Sequence, residues 1–173
     1  HLKFTVELHS LSEFGPLPDA VEDGTTFEEN AIKKAKFYAQ KTGYACLADD
    51  SGLTIDILDG APGIYSARFA GYHANDLANN KKKIEDYRKK NVEQSTAQYV
   101  CSLVFVDTDG KTLTCTQKCE GIIRIFAQGN NGFGYDHIFF VPDLQKTMAE
   151  LTIEEKKNIS HRGKALREME IQL

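Results

Sequence analysis

The sequence predicts an α/β fold in which a long mixed β-sheet is flanked by helices. Three observations carry this prediction. Strand-like apolar stretches recur along the chain, a helix pattern with clear start and stop signals lies near the N-terminus, and two helical segments close the chain. At 173 residues, the chain is long enough for one domain or for two small lobes that share a sheet.

The N-terminal part of the chain predicts a strand, a loop and a helix. Residues 2–8 alternate apolar and charged side chains, and residues 10–23 contain the proline and glycine typical of a loop. Thr26 followed by Glu29 is a capping-box pattern, and the alanines after it recur every four residues. We therefore expect an amphipathic helix that begins after Thr26 and stops at Gly43.

The centre of the predicted sheet is a strand–turn–strand unit. Residues 44–48 predict a buried strand and residues 53–58 predict a second, with Asp49, Asp50 and Gly52 between them. This local composition is typical of a hairpin turn, in which Gly52 would adopt a positive φ. The alternative is a metal site at a strand end, because adjacent buried carboxylates repel and a divalent cation would relieve the repulsion. Neighbouring strand side chains point to opposite faces, so only one of the two carboxylates would enter such a site.

A long hairpin is predicted in the second half of the chain. Residues 97–106 form a strongly apolar strand pattern, residues 107–110 have turn composition, and residues 111–125 return as a second arm. Gly121 in the returning arm indicates a bulge or a bend.

The remaining segments predict helices and one loop. Asn75 can cap a helix that runs to about residue 91 and is polar nearly all round, so we expect it to be exposed. Residues 128–135 are rich in glycine and asparagine and predict a loop. Helices are expected at about residues 147–157 and 161–170.

Composition narrows the functional classes. The formal net charge is −4, which does not predict a surface for a nucleic acid polymer. The sequence has no apolar run of membrane-spanning length and no signal-peptide pattern, so we expect no membrane partner. The cysteines lack a zinc-binding spacing and predict reduced thiols in a cytoplasmic protein. They are Cys46, Cys101, Cys115 and Cys119.

Three further groups of residues could contact a ligand. Glu29 either caps its helix or contributes to a metal site. Phe133 lies between two glycines, where it could stack on a flat ligand or fill the core. Lys156, His161 and Arg162 offer positive charge and hydrogen-bond donors for phosphates, although such a run also occurs at basic helix junctions. Acids for a cation, cations for phosphates and an aromatic for a base together point to a nucleotide with its metal.

Five short motifs occur in one order over nearly the whole chain. They are TFEENA at 26–31, LADDSGL at 47–53, GAPGIYSAR at 60–68, GFGYD at 132–136 and ISHRGKAL at 159–166. Each motif alone is modest support, but the ordered set is highly specific. On these motifs the chain resembles the inosine triphosphate pyrophosphatase family, the pyrophosphatases of non-canonical purine nucleoside triphosphates.

The resemblance implies a Mg²⁺-dependent enzyme that hydrolyses ITP, dITP and XTP to the monophosphate and pyrophosphate. It also implies a long mixed sheet with two lobes and a central cleft, and a homodimer. Motif by motif, it gives roles to ten residues. Asp50 is the expected proton acceptor and metal ligand, Glu29 the second metal ligand and Ser51 a substrate contact. The expected contacts to base and sugar are Phe133, Gly134, Tyr135 and Asp136, and the residues expected to recognise the base and its surroundings are Lys156, His161 and Arg162.

Two departures from the family pattern lead to alternatives. His137 stands where the family usually has proline, which changes loop stiffness. Family members begin with a strand, a Thr/Ser-x-Asn-x-x-Lys loop for the triphosphate and a helix, whereas this sequence begins after them at His1. We therefore expect residues 1–173 to be a single domain without that N-terminal segment. The alternatives are a Maf-like pyrophosphatase of another specificity and a truncated nucleotide-binding protein that is not an enzyme.

Overall fold

The computed structural model describes residues 6–66, 85, 88–124 and 139–173. Two compact units divide the chain. The first comprises His1–Asp50, Cys101–Gln117 and Ala165–Leu173, and the second comprises Ser51–Val100 and Lys118–Lys164. Within the described residues, no helix is both long enough and apolar enough to cross a membrane.

In the described residues, helices and a five-stranded sheet confirm the predicted α/β fold. The sheet has the order β1-β2-β3-β4-β5, and β4 pairs antiparallel with both β3 and β5. The strands are β1 (Cys46–Ile55), β2 (Gln94–Val106), β3 (Thr112–Arg124), β4 (Phe139–Val141) and β5 (Lys146–Thr147), and the α-helices are α1 (Phe27–Thr42), α2 (Ile153–Ile159) and α3 (His161–Gln172). The predicted hairpin is confirmed as β2 and β3, whose connecting turn is closed by the Asp107 N–H to Lys111 carbonyl bond of 2.9 Å.

Helix α1 forms where its sequence signals predict. The Thr26 hydroxyl accepts a hydrogen bond from the Glu29 N–H at 3.1 Å, and Gly43 ends the helix with a φ of 73°. Ala31 and Ala35 are fully buried against an apolar cluster of the first unit, since small side chains let the helix approach closely. The other buried members of that cluster are Ala48, Val104 and Val106.

The predicted turn at residues 49–52 is wrong, because β1 runs through it without interruption. Gly52 has no positive φ in the structure, and it is buried. A Cβ at Gly52 would lie 2.5 Å from the Ser66 Oγ and 2.7 Å from the Gly63 carbonyl oxygen. The Ser66 hydroxyl accepts from the Leu53 N–H at 2.9 Å and donates to the Gly63 carbonyl at 2.6 Å. Glycine is therefore required here for close approach of the following loop and not for a turn.

The core of the second unit explains another glycine. A Cβ at Gly121 would lie 2.4 Å from the Phe139 ring and 2.6 Å from the Phe140 carbonyl oxygen. Phe139 is fully buried in the apolar cluster of this unit. The sequence indicated a bulge or a bend at Gly121, whereas the structure shows a strand position that leaves room for an aromatic ring.

The other predicted elements differ in how far the described residues test them. The predicted strand at residues 2–8 is wrong for its described part, since Val6 and Leu8 are exposed and in no strand. In the predicted helix at 75–91, residues 85, 88 and 89 are helical, and most of its other positions lie outside the described residues. The predicted loop at 128–135 lies wholly outside them. The two closing helices are confirmed, with a 3₁₀ turn at Met148–Glu150 before α2.

The part of the C-terminal helix that belongs to the first unit packs there through small and flexible side chains. Ala165 and Met169 are buried with Cys101, Leu103 and Cys115. The Gln117 amide on β3 donates a hydrogen bond to the Glu168 carboxylate. The four cysteines, all of them described residues, form no disulfide, and three are buried, as expected for small apolar side chains.

Candidate active site

In the first unit, β1 buries one carboxylate and leaves its neighbour partly open. The Asp50 side chain is 8% exposed, whereas Asp49 is half-buried. Adjacent strand residues face opposite ways, and of this pair only Asp50 is buried. Asp50 is thus a carboxyl group placed in a low-dielectric environment by the regular alternation of a strand.

The surroundings of Asp50 keep its carboxyl group short of partners. Its Oδ2 atom is buried and has no hydrogen-bond partner among the described residues. Burial raises the pKa of Asp50, and this effect exceeds the lowering of the pKa by the charge of Lys34 and by a hydrogen bond from Asn30. The charges of Glu22 and Asp49 raise it further. A carboxylate with a raised pKa and an unengaged oxygen can accept a proton or bind a cation.

Lys34 interacts with Glu22, Asp49 and Asp50. Its ammonium group donates to the Asp49 carbonyl oxygen at 2.9 Å and forms an ion pair with Glu22 at 2.8 Å. It also supplies the positive charge that opposes the rise in the pKa of Asp50. The strand segment that carries Asp50 is therefore attached to α1 by a charged side chain.

Glu29 has a different environment from Asp50. Its carboxylate accepts hydrogen bonds from the Thr25 N–H at 2.7 Å and from the Thr25 hydroxyl at 3.1 Å. These bonds, the backbone bond foremost, lower the pKa of Glu29. The predicted capping box is therefore half confirmed, because Thr26 caps Glu29 but the Glu29 side chain returns to Thr25 and not to Thr26. An exposed, ionised carboxylate at this position can bind a cation as well as stabilise the start of the helix.

The residues of the first unit fit a hard cation in one respect. The buried Oδ2 of Asp50 lacks a protein partner among the described residues, and oxygen is the ligand that Mg²⁺ prefers. The described part of the chain contains no cluster of three or more His, Cys, Asp or Glu side chains arranged to hold a metal ion. Mg²⁺ usually takes one or two carboxylates and completes its octahedron with water and substrate phosphates, so such a cluster is not required.

In the second unit, the start of α3 meets β1. The Arg162 guanidinium donates to the Ser51 hydroxyl at 3.3 Å, although the two residues are far apart in sequence. Gly163 makes this geometry possible, because a Cβ there would lie 2.1 Å from the Lys157 carbonyl oxygen of α2. The Gly163 N–H also donates to the Ser160 hydroxyl at 3.0 Å. The tight junction between α2 and α3 therefore sets the direction of Arg162.

His161 stacks on an aromatic residue of the hairpin. Its imidazole lies parallel to the Tyr99 ring, with centroids 5.1 Å apart and an angle of 12° between the planes. Tyr99 in turn contacts Phe139 at a centroid distance of 4.6 Å. This aromatic stack holds the imidazole in one plane, so the directions of its nitrogen atoms are defined.

The structure thus brings some of the predicted residues together. Ser51 contacts Arg162, and Lys156 lies exposed in the last turn of α2. Four predicted contacts to base and sugar lie outside the described residues, namely Phe133, Gly134, Tyr135 and Asp136.

Three residues with a part in the site were missed by the sequence analysis. Asn30 lowers the pKa of Asp50, the Gly24 N–H donates to the Asn30 amide oxygen, and Tyr99 stacks on His161. Asn30 carried a usable signal, because it is a polar side chain next to the buried face of α1 that begins at Ala31. Gly24 and Tyr99 carried none, since their partners are chosen by tertiary contacts.

Comparison with known proteins agrees with the motifs. A dITP/XTP pyrophosphatase from an Exiguobacterium species is 51% identical over 168 residues, which cover 96% of this chain and 84% of the relative. One from Clostridium perfringens is 45% identical over 172 residues, with the same coverage. The family resemblance read from the five motifs is therefore confirmed.

Solved structures support the same assignment. A HAM1 protein from Coxiella burnetii is 43% identical, with a TM-score of 0.73 and coverage of 90% of this chain and 80% of that one. The Ham1 protein of Staphylococcus aureus is 40% identical, also with a TM-score of 0.73, over 94% of this chain and 83% of that one. The sequence model of the Ham1 family matches residues 2–172. The chain therefore belongs to the Ham1 family.

Proposed function

We propose that this protein is a nucleoside triphosphate pyrophosphatase that hydrolyses dITP, ITP and XTP to the monophosphate and pyrophosphate. Its relatives named dITP/XTP pyrophosphatase, at 45–51% identity, support the reaction and the substrate class. The observation that carries the proposal is Asp50, a buried carboxyl group with a raised pKa and an oxygen without a partner among the described residues.

In the proposed reaction, water attacks the α-phosphorus and the bond between that phosphorus and the α,β-bridging oxygen breaks. Asp50 accepts a proton from the attacking water, and pyrophosphate leaves with the bond's electron pair. A carboxylate with a raised pKa is a stronger base than an ordinary one, so burial of Asp50 favours this role. The charge of Lys34 and the hydrogen bond from Asn30 oppose the rise in the pKa of Asp50.

For Mg²⁺, we propose that Asp50 and Glu29 are the protein ligands. Glu29 is exposed and ionised, and Asp50 offers its buried Oδ2. When bound, the cation would neutralise phosphate charge, which is the largest electrostatic demand in reactions at phosphorus. The positions of the Asp50 and Glu29 carboxyl groups in one shared site remain a prediction.

For the base, we propose that Arg162, His161 and Lys156 face the purine and its surroundings. Arg162 carries donors only, and these suit the O6 acceptor of hypoxanthine and xanthine better than the amino group of adenine. Ser51 holds Arg162 at 3.3 Å and Tyr99 holds the plane of His161. Phe133, Gly134, Tyr135 and Asp136 complete the proposed nucleotide contacts.

We also propose a cytoplasmic homodimer. The absence of a disulfide among the four described cysteines supports a reducing compartment, and the family resemblance supports the dimer. Light scattering at micromolar concentration tests the dimer, and a monomer at that concentration would contradict it.

A substrate panel tests the proposed reaction. The purified chain is incubated with Mg²⁺ and dITP, ITP, XTP, GTP, ATP or a modified pyrimidine triphosphate, and products are separated by ion-exchange chromatography. We expect monophosphate and pyrophosphate from the first three substrates, and a loss of activity in Asp50→Asn. Release of orthophosphate with a diphosphate product, or preference for the pyrimidine, would contradict the proposal.

A further inference from the structure

The amide of Asn30 is buried between two polar partners in the first unit. Asn30 lies in the first turn of α1 and is 3% exposed. Its Oδ1 accepts a hydrogen bond from the Gly24 N–H at 2.8 Å. Its side chain lowers the pKa of the Asp50 carboxyl group, as a nearby hydrogen-bond donor does. Because Oδ1 is engaged by a donor, the amide NH₂ is the part that can donate to the carboxylate. The Gly24 contact therefore fixes which way the amide points.

Gly24 also leaves space for the side chains of Asn30 and Glu29. A Cβ at Gly24 would lie 2.8 Å from the Asn30 Oδ1 and 2.8 Å from the Glu29 Cβ. The next residue, Thr25, donates its N–H to the Glu29 carboxylate at 2.7 Å. Two consecutive backbone N–H groups thus hold the partner of Asp50 and the second proposed metal ligand.

We infer that Asn30 is a positioning residue of the proposed reaction: held by the Gly24 N–H, its amide fixes the Asp50 carboxyl group so that Oδ2 points toward the reacting water or a bound cation. Asp50 is 8% exposed and its Oδ2 has no hydrogen-bond partner among the described residues, so this oxygen is available to the water or the cation. The inference rests on the proposed function. Partners of this kind typically change metal affinity or activity by about 10–100-fold when they are removed.

A purely structural role for Asn30 is the competing explanation. Satisfying the buried Gly24 N–H would contribute to stability whether or not Asp50 acts in catalysis. The first unit offers a matched control, because the Gln117 amide donates to the Glu168 carboxylate in an equivalent amide–carboxylate pair. Gln117 and Glu168 take no part in the proposed reaction.

The first experiment compares Asn30→Leu with Gln117→Leu in the full chain. Both changes remove an amide donor to a carboxylate, and both should lower the melting temperature. Only Asn30→Leu should lower kcat for dITP, by about 10–100-fold, with KM little changed. Mn²⁺ affinity without nucleotide, measured by water-proton relaxation, should fall in Asn30→Leu and not in Gln117→Leu.

A second pair of variants keeps the inference testable if Asn30→Leu does not fold. Asn30→Asp retains an acceptor for the Gly24 N–H but replaces the donor with a second carboxylate, and Gln117→Glu makes the same change at the control pair. At about pH 8.5, above the ordinary carboxyl range, Asn30→Asp should lose kcat and Gln117→Glu should not. A folded Asn30→Leu or Asn30→Asp protein with wild-type kcat would overturn the inference and leave the proposed function intact. A wild-type chain that hydrolyses none of the triphosphates would overturn the proposed function, and the Mn²⁺ affinities would then decide the role of Asn30.

Discussion

The imidazole of His161 lies parallel to the ring of Tyr99, with centroids 5.1 Å apart. The two residues come from different parts of the chain, the start of α3 and the middle of β2. The Phe139 ring packs against Tyr99 from β4, so the imidazole rests on a supported aromatic surface. Such a stack restricts rotation of His161 and presents its nitrogen atoms in fixed directions.

Removal of the Tyr99 ring should weaken substrate binding. Tyr99→Ala should raise KM for dITP, and the stacking energy of about 0.5–1.5 kcal/mol corresponds to roughly a 2- to 12-fold effect. Tyr99→Phe keeps the stacking face and should restore the wild-type KM. Phe37→Ala is a control, because it removes one ring of the T-shaped Phe37–Tyr38 pair on α1. Steady-state kinetics with melting temperatures check this, and equal KM values for Tyr99→Ala and wild type would contradict it.

Neutralising Asp50 should remove activity and increase stability near neutral pH. Burial raises the folded-state pKa of Asp50 above its ordinary value of 3.8, so the folded protein binds a proton more tightly than the unfolded chain. The contribution of this group to stability is complete below pH 3.8 and is lost as the pH rises through the folded-state pKa. Asp50→Asn avoids that loss, so its melting temperature at pH 7 should exceed that of wild type, and the difference should shrink toward acid pH. Calorimetry across pH checks the sign, and a less stable Asp50→Asn protein at pH 7 would contradict it.

Arg162 should contribute to selection of the base. Its donors would be paired by O6 of a 6-keto purine and left unpaired opposite the adenine amino group, which costs about 1–3 kcal/mol or more. Arg162→Ala should therefore lower kcat/KM for ITP much more than for ATP. Arg167→Ala removes the same charge further along α3 and should leave the ITP-to-ATP ratio unchanged. If Arg162→Ala also keeps the wild-type ratio, base selection lies with other residues.

The junction between α2 and α3 should tolerate no side chain at Gly163. A Cβ there would lie 2.1 Å from the Lys157 carbonyl oxygen, so Gly163→Ala forces the helices apart at an overpacking cost of about 1–3 kcal/mol. The displacement should also move His161 and Arg162, and raise KM for dITP. Gly110→Ala is the control, because its φ of 85° makes alanine unfavourable in the hairpin turn. Both variants should melt earlier in thermal denaturation, but a raised KM is expected for Gly163→Ala alone, and a raised KM in both would contradict the positional argument.

Local sequence patterns predicted the structure correctly where residues close together in the sequence determine it. Thr26 and Gly43 gave the ends of α1, because capping involves only residues within one turn. The β2–β3 hairpin was also predicted correctly, because its apolar strand patterns and its turn residues are close together in the sequence. The family could be inferred from five short motifs in order, and the comparisons agree with it.

Local patterns failed where distant residues compete with them. Asp49, Asp50 and Gly52 have the composition of a turn, yet β1 continues through them, and Gly52 leaves room for the Ser66 hydroxyl. Val6 and Leu8 alternate as a strand does, but their described backbone is in no strand. In both cases propensity was a weaker determinant than tertiary contact.

The sequence by itself determined which chemical groups are available, namely carboxylates for a cation and positively charged side chains for phosphate. It also determined the family in which these groups occur together. Only the tertiary structure decided how those groups are held. Asn30 meets Asp50 because α1 packs on β1, and His161 meets Tyr99 because α3 begins beside the hairpin. Burial and hydrogen-bond direction depend on contacts between residues far apart in the chain, and a linear pattern carries no information about them.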